Sequence, residues 1–300
     1  MGIKMEGKPV AEHLREKIKN RILNLETDQI TPTLLLIRVG EREDDISYER
    51  GILKNCVLLG IKAYVKCLPS DVNMEDVIKV MEEANKDAMV HGIMLFRPLP
   101  SQLNLEVLSS IIDPVKDVDC MSPINLEKVF EGKHTGYAPC TPKAVIELLK
   151  FYEIPLKGAN VTVAGRSLVV GKPLAMLLLD ENATVTICHS RTKEMPMVTS
   201  KADIVVAAIG KAKFMTEEYF SEDSIIIDIG INDDNGRICG DVDFDAVFGK
   251  VKAINPAVGG VGTITNTILL DHVVQACERL TYTKKDNISR RQEIDAAFLI

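Results

Sequence analysis

The chain has 300 residues, 46% of them apolar and 26% charged, and a formal net charge of −7. That length exceeds what one hydrophobic core usually serves and predicts two domains, while the ordinary composition excludes a disordered or fibrous chain. The acidic balance, with no long run of Lys or Arg, leaves no electrostatic footprint for nucleic acid.

Apolar residues Val10, Leu14, Ile18, Ile22 and Leu25 recur at helical spacing, and Thr33 to Val39 reads as a buried strand. A helix around Ser47 to Leu59, a strand around Ala63 to Cys67, a helix around Met74 to Ala84 and a strand at Gly92 to Phe96 follow. This alternation predicts a mostly parallel sheet. Prolines then recur from Pro98 to Pro142 around a helical piece at Leu103 to Ile112, an irregular stretch suited to the rim of an active site. Thr141 followed by Pro142 fits an N-cap with proline at the first helical position, opening a helix through about Phe151.

A second series begins with strand Val161 to Ala164 and helix Pro173 to Leu179. Strands at Thr184 to Cys188, Ile204 to Ala208, Ser224 to Ile229 and Val251 to Ile254 continue it, and a helix from Thr265 to Leu280 closes it. The charged tail beyond Thr281 is expected to be mobile. The fold class is therefore α/β in two domains, the second with the rhythm of a Rossmann-type dinucleotide fold.

Seven scattered cysteines without a C-x-x-C pair argue against a disulfide framework and structural zinc, so no metal is expected. Met1 to Lys8 lacks the apolar core of a signal peptide and no stretch is long and apolar enough for a membrane span. A cytoplasmic protein is expected, with no membrane or nucleic-acid partner.

Gly165-Arg166-Ser167-Leu168-Val169-Val170-Gly171 lies where a strand ends and a helix begins, so backbone amides there are placed to hold phosphate oxygens. The spacing is neither G-x-G-x-x-G nor a Walker A loop, because Pro173 stands where Ser or Thr would coordinate magnesium. For this segment alone the alternative is a turn that needs glycine only for its backbone geometry. After the next strand, where NAD enzymes often place an acidic residue, the chain reads His189-Ser190-Arg191-Thr192. A hydroxyl and a guanidinium there, with Arg166 in the first turn, favour the 2′-phosphate of NADP over NAD. The alternative is that both arginines are solvated surface charges.

With these residues stand Gly7-Lys8-Pro9, Ser47-Tyr48, Pro98-Leu99-Pro100, Lys116-Asp117-Val118-Asp119, Pro139-Cys140-Thr141-Pro142, Val170-Gly171-Lys172-Pro173, Gly230-Ile231-Asn232 and Gly259-Gly260-Val261-Gly262. Together they resemble the methylenetetrahydrofolate dehydrogenase/methenyltetrahydrofolate cyclohydrolase family over nearly the whole chain. The resemblance implies a folate-binding catalytic domain over residues 1–143, completed by a C-terminal helix at 265–300, and an NADP-binding Rossmann domain over 144–264. It implies hydride transfer from 5,10-methylenetetrahydrofolate to NADP⁺ in a folate cleft between the domains, in an enzyme expected to be a homodimer. The substrate residues it implies are Tyr48, Phe96, Arg97, Asp119, Val258, Gly259 and Gly260, with Tyr48 and Asp119 as the catalytic residues. The dinucleotide residues are Gly165, Arg166, Ser167, Val170, Gly171, Ser190, Arg191 and Ile231. Without the resemblance, Tyr48 reads as a helix-face aromatic, and Asp119, Gly259 and Gly260 read as turn formers.

The sequence departs from the family at several positions. Bifunctional members carry Tyr-x-x-x-Lys, but Ile52 stands where the lysine belongs, and Lys54 is out of register. The family glutamine ahead of Leu-Pro-Leu-Pro is Phe96, followed by Arg97, and Val258 and Thr263 replace prolines around the glycine loop. The expectation is a dehydrogenase with little or no cyclohydrolase activity. Its alternatives are a non-catalytic folate-binding regulator of the same fold and an NADP dehydrogenase acting on another small substrate.

Overall fold

A computed structural model describes residues 2–297, with side chains through Tyr282. In chain order the elements are β1 (Ile3–Lys4), α1 (Gly7–Thr27), β2 (Thr33–Val39), α2 (Glu43–Leu59), β3 (Lys62–Leu68), α3 (Met74–Lys86), β4 (Gly92–Leu95) and α4 (Leu105–Ile111). Next come α5 (Pro123–Phe130), α6 (Cys140–Phe151), β5 (Asn160–Ala164), α7 (Gly171–Asp180), β6 (Thr184–Cys188), α8 (Met195–Thr199) and β7 (Ile204–Ala207). The series closes with β8 (Ile225–Asp228), β9 (Asn232–Asp234), β10 (Arg237–Cys239), α9 (Phe244–Val247), β11 (Ala253–Ile254) and α10 (Gly262–Ala297). The mobility expected of the tail falls on side chains outside the described residues. No helix among the described residues is long and apolar enough to cross a membrane.

The chain forms two compact units. One holds Glu16–Asn125 with the chain from Leu269 onward; the other holds Met1–Arg15 and Leu126–Ile268. These divisions differ from the sequence-based boundary at 143/144. Part of the reason is β1, too short to show periodicity: it pairs parallel with β11, Ile3 opposite Ala253, so the first residues count with the later unit.

The three-stranded unit has a parallel sheet in the order β3-β2-β4. Its centre, β2, is apolar along Thr33–Val39 because both faces are covered, and the edge strand β3 is mostly exposed or half-buried. On α3, Val77, Met81 and Ala84 recur at helical spacing and are buried, and the Asn73 side chain caps the helix by accepting from Asp76 N at 2.9 Å. Helix α2 stops at Gly60, whose φ of 75° gives the left-handed cap that an L side chain resists.

The six-stranded unit has an all-parallel sheet in the order β1-β11-β8-β7-β5-β6. Strands β5, β7 and β8 are almost wholly buried. Sequence order reverses at β5, which has β6 on one side and β7 on the other. Open α/β sheets bind ligands at such a switch, outside the carboxyl ends of the strands. A hairpin, β9–β10, stands apart from this sheet; its turn residues Asn235 and Gly236 have φ of 54° and 82°, the pair of positive values that an Asn-Gly turn supplies. Helix α6 starts earlier than expected: Pro139, not Thr141, is its cap residue, and no side-chain cap bond is made. Pro142 then falls in the first turn, where its missing N–H has no intrahelical partner to lose.

Candidate active site

In the three-stranded unit four of the expected residues come together. Tyr48 lies half-buried on α2, and its ring meets that of Phe96 edge-on, centroids 6.2 Å apart at 84°. Phe96, buried just past β4, donates its backbone N–H to Ile37 O at 2.9 Å, which holds the end of the strand to β2. Arg97 follows, joined to Pro98 by a cis peptide bond. Its Nη2 donates to Asp119 Oδ2 at 2.6 Å, so the side chain whose direction the sequence left open points at the carboxylate.

The rest of Lys116-Asp117-Val118-Asp119 explains why Asp119 is the residue presented. Lys116 is buried and its Nζ donates to the carbonyls of Ala84, Asn85 and Asp87, which satisfies the C-terminal end of α3. The Asp117 carboxylate, fully buried, accepts from Met121 N, Ser122 N and Asn125 Nδ2, and burial pushes its pKa up. Both are scaffold. Asp119, 21% exposed, is left facing Arg97, 25% exposed.

Ile52, one helical turn beyond Tyr48, has no exposed surface, whereas Lys54 is exposed. Nearby, Glu49 accepts from Arg38 Nε at 2.8 Å. Both side chains are about nine-tenths buried, so the pair fastens α2 to β2 beside Tyr48.

In the six-stranded unit most of the residues expected to bind a dinucleotide lie at the carboxyl ends of β5 and β6, beside the switch point, and Ile231 follows β8. Gly165, directly after β5, has a φ of 154°, and a Cβ there would stand 2.2 Å from Ala208 O after β7. A Cβ on Gly171 would meet Gly165 O at 2.2 Å. These glycines answer the question that spacing left open: they serve close backbone approach as well as turn geometry. Between them Ser167 Oγ accepts from Val170 N at 3.1 Å and Gly171 N at 3.4 Å, organising the start of α7. Arg166 and Ser167 are exposed beside this turn. After β6, His189 N donates to Thr192 Oγ1 at 2.9 Å and Arg191 N to His189 Nδ1 at 3.1 Å, a tight turn that leaves the Ser190 and Arg191 side chains exposed.

Two buried aspartates missed by sequence reasoning organise the remaining strand ends. Asp241 accepts from Ile209 N, Gly210 N and Lys211 N after β7 and from Asn232 Nδ2, beside the exposed Ile231. Asp228, at the end of β8, accepts from Gly230 N, Asp241 N and Val242 N, and burial pushes its pKa up to about 6. Gly230-Ile231-Asn232 and Gly240-Asp241-Val242 were the available signal, since a buried turn without apolar periodicity has to satisfy its amides somewhere.

The glycine loop lies in the same unit. Gly259 has a φ of 85° and accepts from Gly7 N at 2.8 Å, and a Cβ on Gly7 would meet Gly260 O at 2.0 Å. Val258 is exposed and lines a cavity of about 520 Å³ with the β9–β10 hairpin, Lys213 and Phe244. The expected folate residues thus divide: Tyr48, Phe96, Arg97 and Asp119 in one unit, Val258, Gly259 and Gly260 in the other.

Known proteins match the chain along most of its length. Residues 5–119 match the catalytic domain of tetrahydrofolate dehydrogenase/cyclohydrolase, and residues 139–281 match its NAD(P)-binding domain. The bifunctional protein FolD 1 of Desulfitobacterium hafniense is 54% identical over 275 residues, 91% of this chain and 98% of the relative. FolD of Clostridium botulinum is 53% identical over 274 residues, 91% of this chain and 97% of the relative. Among solved structures, the bifunctional FolD of Campylobacter jejuni has a TM-score of 0.90 at 34% identity, covering 93% of this chain and 99% of its own. The Trypanosoma brucei dehydrogenase-cyclohydrolase, solved with NADP cofactor and an inhibitor, has a TM-score of 0.87 at 30% identity, covering 93% and 98%. The chain therefore belongs to the tetrahydrofolate dehydrogenase/cyclohydrolase family, enzymes that pair an α/β catalytic domain with an NAD(P)-binding domain.

Proposed function

We propose that this protein is an NADP-dependent 5,10-methylenetetrahydrofolate dehydrogenase, forming 5,10-methenyltetrahydrofolate in one-carbon metabolism, with weak or absent hydrolysis of that product to 10-formyltetrahydrofolate. The observation that carries the second half is Ile52, an apolar side chain with no exposure, one turn from Tyr48. Hydride transfer chiefly asks that two partners be held in contact, whereas hydrolysis asks for a group that moves protons. Isoleucine moves none. A positioned acid or base typically contributes about 10²- to 10⁴-fold, and hydrolysis should fall by that order.

The residues present fit a dinucleotide, because Gly165 and Gly171 keep a cradle open that a Cβ would fill. Bound NADP⁺ supplies the hydride acceptor. Gly165, Arg166, Ser167, Val170 and Gly171 would hold its phosphates at the start of α7, and Ser190 and Arg191 would bind the 2′-phosphate, with Ile231 as an apolar contact. For the folate, Tyr48, backed by the buried Phe96, would offer an aromatic face and Asp119 would accept hydrogen bonds from the pterin N–H groups; Val258, Gly259 and Gly260 are further candidates on the other unit. We assign the folate role to residues 1–143 with 265–300 and the dinucleotide role to 144–264. The working enzyme is a cytoplasmic homodimer, as symmetric dimers are the commonest oligomers.

The test is a paired assay of purified protein for folate-dependent reduction of NADP⁺ and NAD⁺ and for methenyltetrahydrofolate hydrolysis. Hydride transfer favouring NADP⁺, with hydrolysis slower by about 10²-fold or more, is expected. Hydrolysis as fast as hydride transfer overturns the proposal, and folate binding with no reduction of either dinucleotide favours the non-catalytic regulator. Recovery of hydrolysis in Ile52→Lys, checked alongside its melting temperature, ties the deficit to this position.

A further inference from the structure

We propose that Arg97 and Asp119 act as a single reader of the folate head, and that Arg97 selects the 4-oxo form of the pterin. The proposal rests on the reading of Asp119 given above and extends it to a residue that departs from the family pattern. Along one edge a 2-amino-4-oxo pterin presents, in a row, an amino N–H, a ring N–H and a carbonyl oxygen. Recognising that row takes two acceptors followed by a donor.

The Arg97–Asp119 pair supplies that sequence. A carboxylate accepts at two oxygens with about four lone-pair sites, so the hydrogen bond from Arg97 leaves acceptor capacity for the two pterin N–H groups. A guanidinium carries five N–H donors in a fixed plane and accepts nothing; one is committed to Asp119, and a neighbouring N–H suits the pterin O4. The two side chains are a quarter and a fifth exposed, reachable by a ligand yet partly withdrawn from water, where charge-assisted hydrogen bonds discriminate best. The scaffold favours this assignment. Lys116 and Asp117 are committed to backbone groups and Asn125, and Phe96 is buried against Tyr48, so Arg97 and Asp119 are the polar members of this cluster left presented.

The selectivity follows from replacing O4 by an amino group, as in a 4-amino-4-deoxy pterin. The acceptor becomes a donor and faces a side chain that has only donors, while ring N3 gives up its hydrogen, so Asp119 also loses one of its donors and supplies part of the discrimination. A site built to hydrogen-bond one group rejects its non-complementary analogue because a polar group is left without a partner. The natural 4-oxo ligand should therefore bind wild type about tenfold to a hundredfold more tightly than the 4-amino form, the span of a hydrogen bond to a charged group.

The experiment is anaerobic calorimetric titration of the full-length protein with tetrahydrofolate and with 4-amino-4-deoxytetrahydrofolate, for wild type, Arg97→Met and Arg97→Gln. The expected result is a wild-type preference for the 4-oxo ligand that shrinks about tenfold in Arg97→Met, chiefly through weaker 4-oxo binding, leaving the part that Asp119 supplies. In Arg97→Gln the preference should shrink similarly with less loss of affinity, since an amide presents either a donor or an acceptor; this variant carries the test if Arg97→Met does not fold. A merely structural role would weaken both ligands alike. A preference unchanged in either folded variant, or a wild type that binds both ligands equally, overturns the proposal. Failure of wild type to bind either ligand would instead sink the folate reading on which it stands.

Discussion

The two units build their sites from different materials. At the switch point of the six-stranded sheet the site is backbone: Gly165 against Ala208 O, Gly171 against Gly165 O, and amides tied down by Asp241. In the three-stranded unit it is side chain: Tyr48 on Phe96, and Arg97 on Asp119, mounted on a scaffold of Lys116, Asp117 and the Arg38–Glu49 pair. A backbone site constrains which residue types are tolerated but leaves their chemistry generic, whereas a side-chain site can change its chemistry by one substitution without disturbing the chain path. The positions on which the proposed loss of hydrolysis turns, Ile52 and Phe96 with Arg97, fall in the side-chain site.

If that contrast holds, altering the backbone site should do the greatest damage. Gly165→Val adds bulk where a Cβ already meets Ala208 O at 2.2 Å, at a φ of 154°. Overpacking and backbone strain together should cost roughly 5 kcal/mol, with dinucleotide affinity lost as well. Urea unfolding and NADP⁺ titration measure the two losses. Near-wild-type values would mean that the close approach is not required.

Asp241→Ala comes next. It removes the acceptor from Ile209 N, Gly210 N, Lys211 N and Asn232 Nδ2, and some of these donors remain shielded from water. A loss of about 4 kcal/mol is expected. The KM for NADP⁺ should rise more than kcat falls, because the loop it holds borders Gly165; a fall in kcat alone would place the loop's role elsewhere.

The smallest effect is a pH dependence from Asp228. Its folded pKa, pushed up to about 6 by burial, lies above the unfolded value near 3.9. Protonation is therefore more favourable in the folded state, and the stability it contributes is fully present below pH ~4 and lost as pH rises through about 6. Denaturant titrations between pH 4 and 7 should show wild type losing about 2 kcal/mol relative to Asp228→Asn across that window. Parallel curves for the two proteins would show that Asp228 does not titrate there.

Much of the scaffold was legible from periodicity, and the reasons for the remainder are specific. Strands β2 and β6 fall on Thr33–Val39 and Thr184–Cys188 as read, β2 because a buried apolar run stands out from its flanks and β6, though mostly exposed, because its residues are largely β-branched. The hairpin was missed although its Asn235-Gly236 turn is a strong local signal, since strands β9 and β10 are polar and short. β1 carries no pattern of its own and exists only through β11. Within the sites, glycines and the Tyr48 helix were visible because their constraints are local. The direction of Arg97 was not, because it depends on Asp119, which is brought near by the return of the chain after α4. Asp228 and Asp241 were equally hidden: their partners are amides, which every residue but proline possesses, so no residue type announces them.

The complete enclosure of Ile52 has a consequence for how this protein can change. A position that fills the interior answers first to packing, and any charge placed there must be accommodated by its neighbours before it can be useful. Placing an ammonium at 52 is thus a path of at least two steps, loosening the surroundings and then introducing the amine. The intermediate of either order gains nothing to offset its instability.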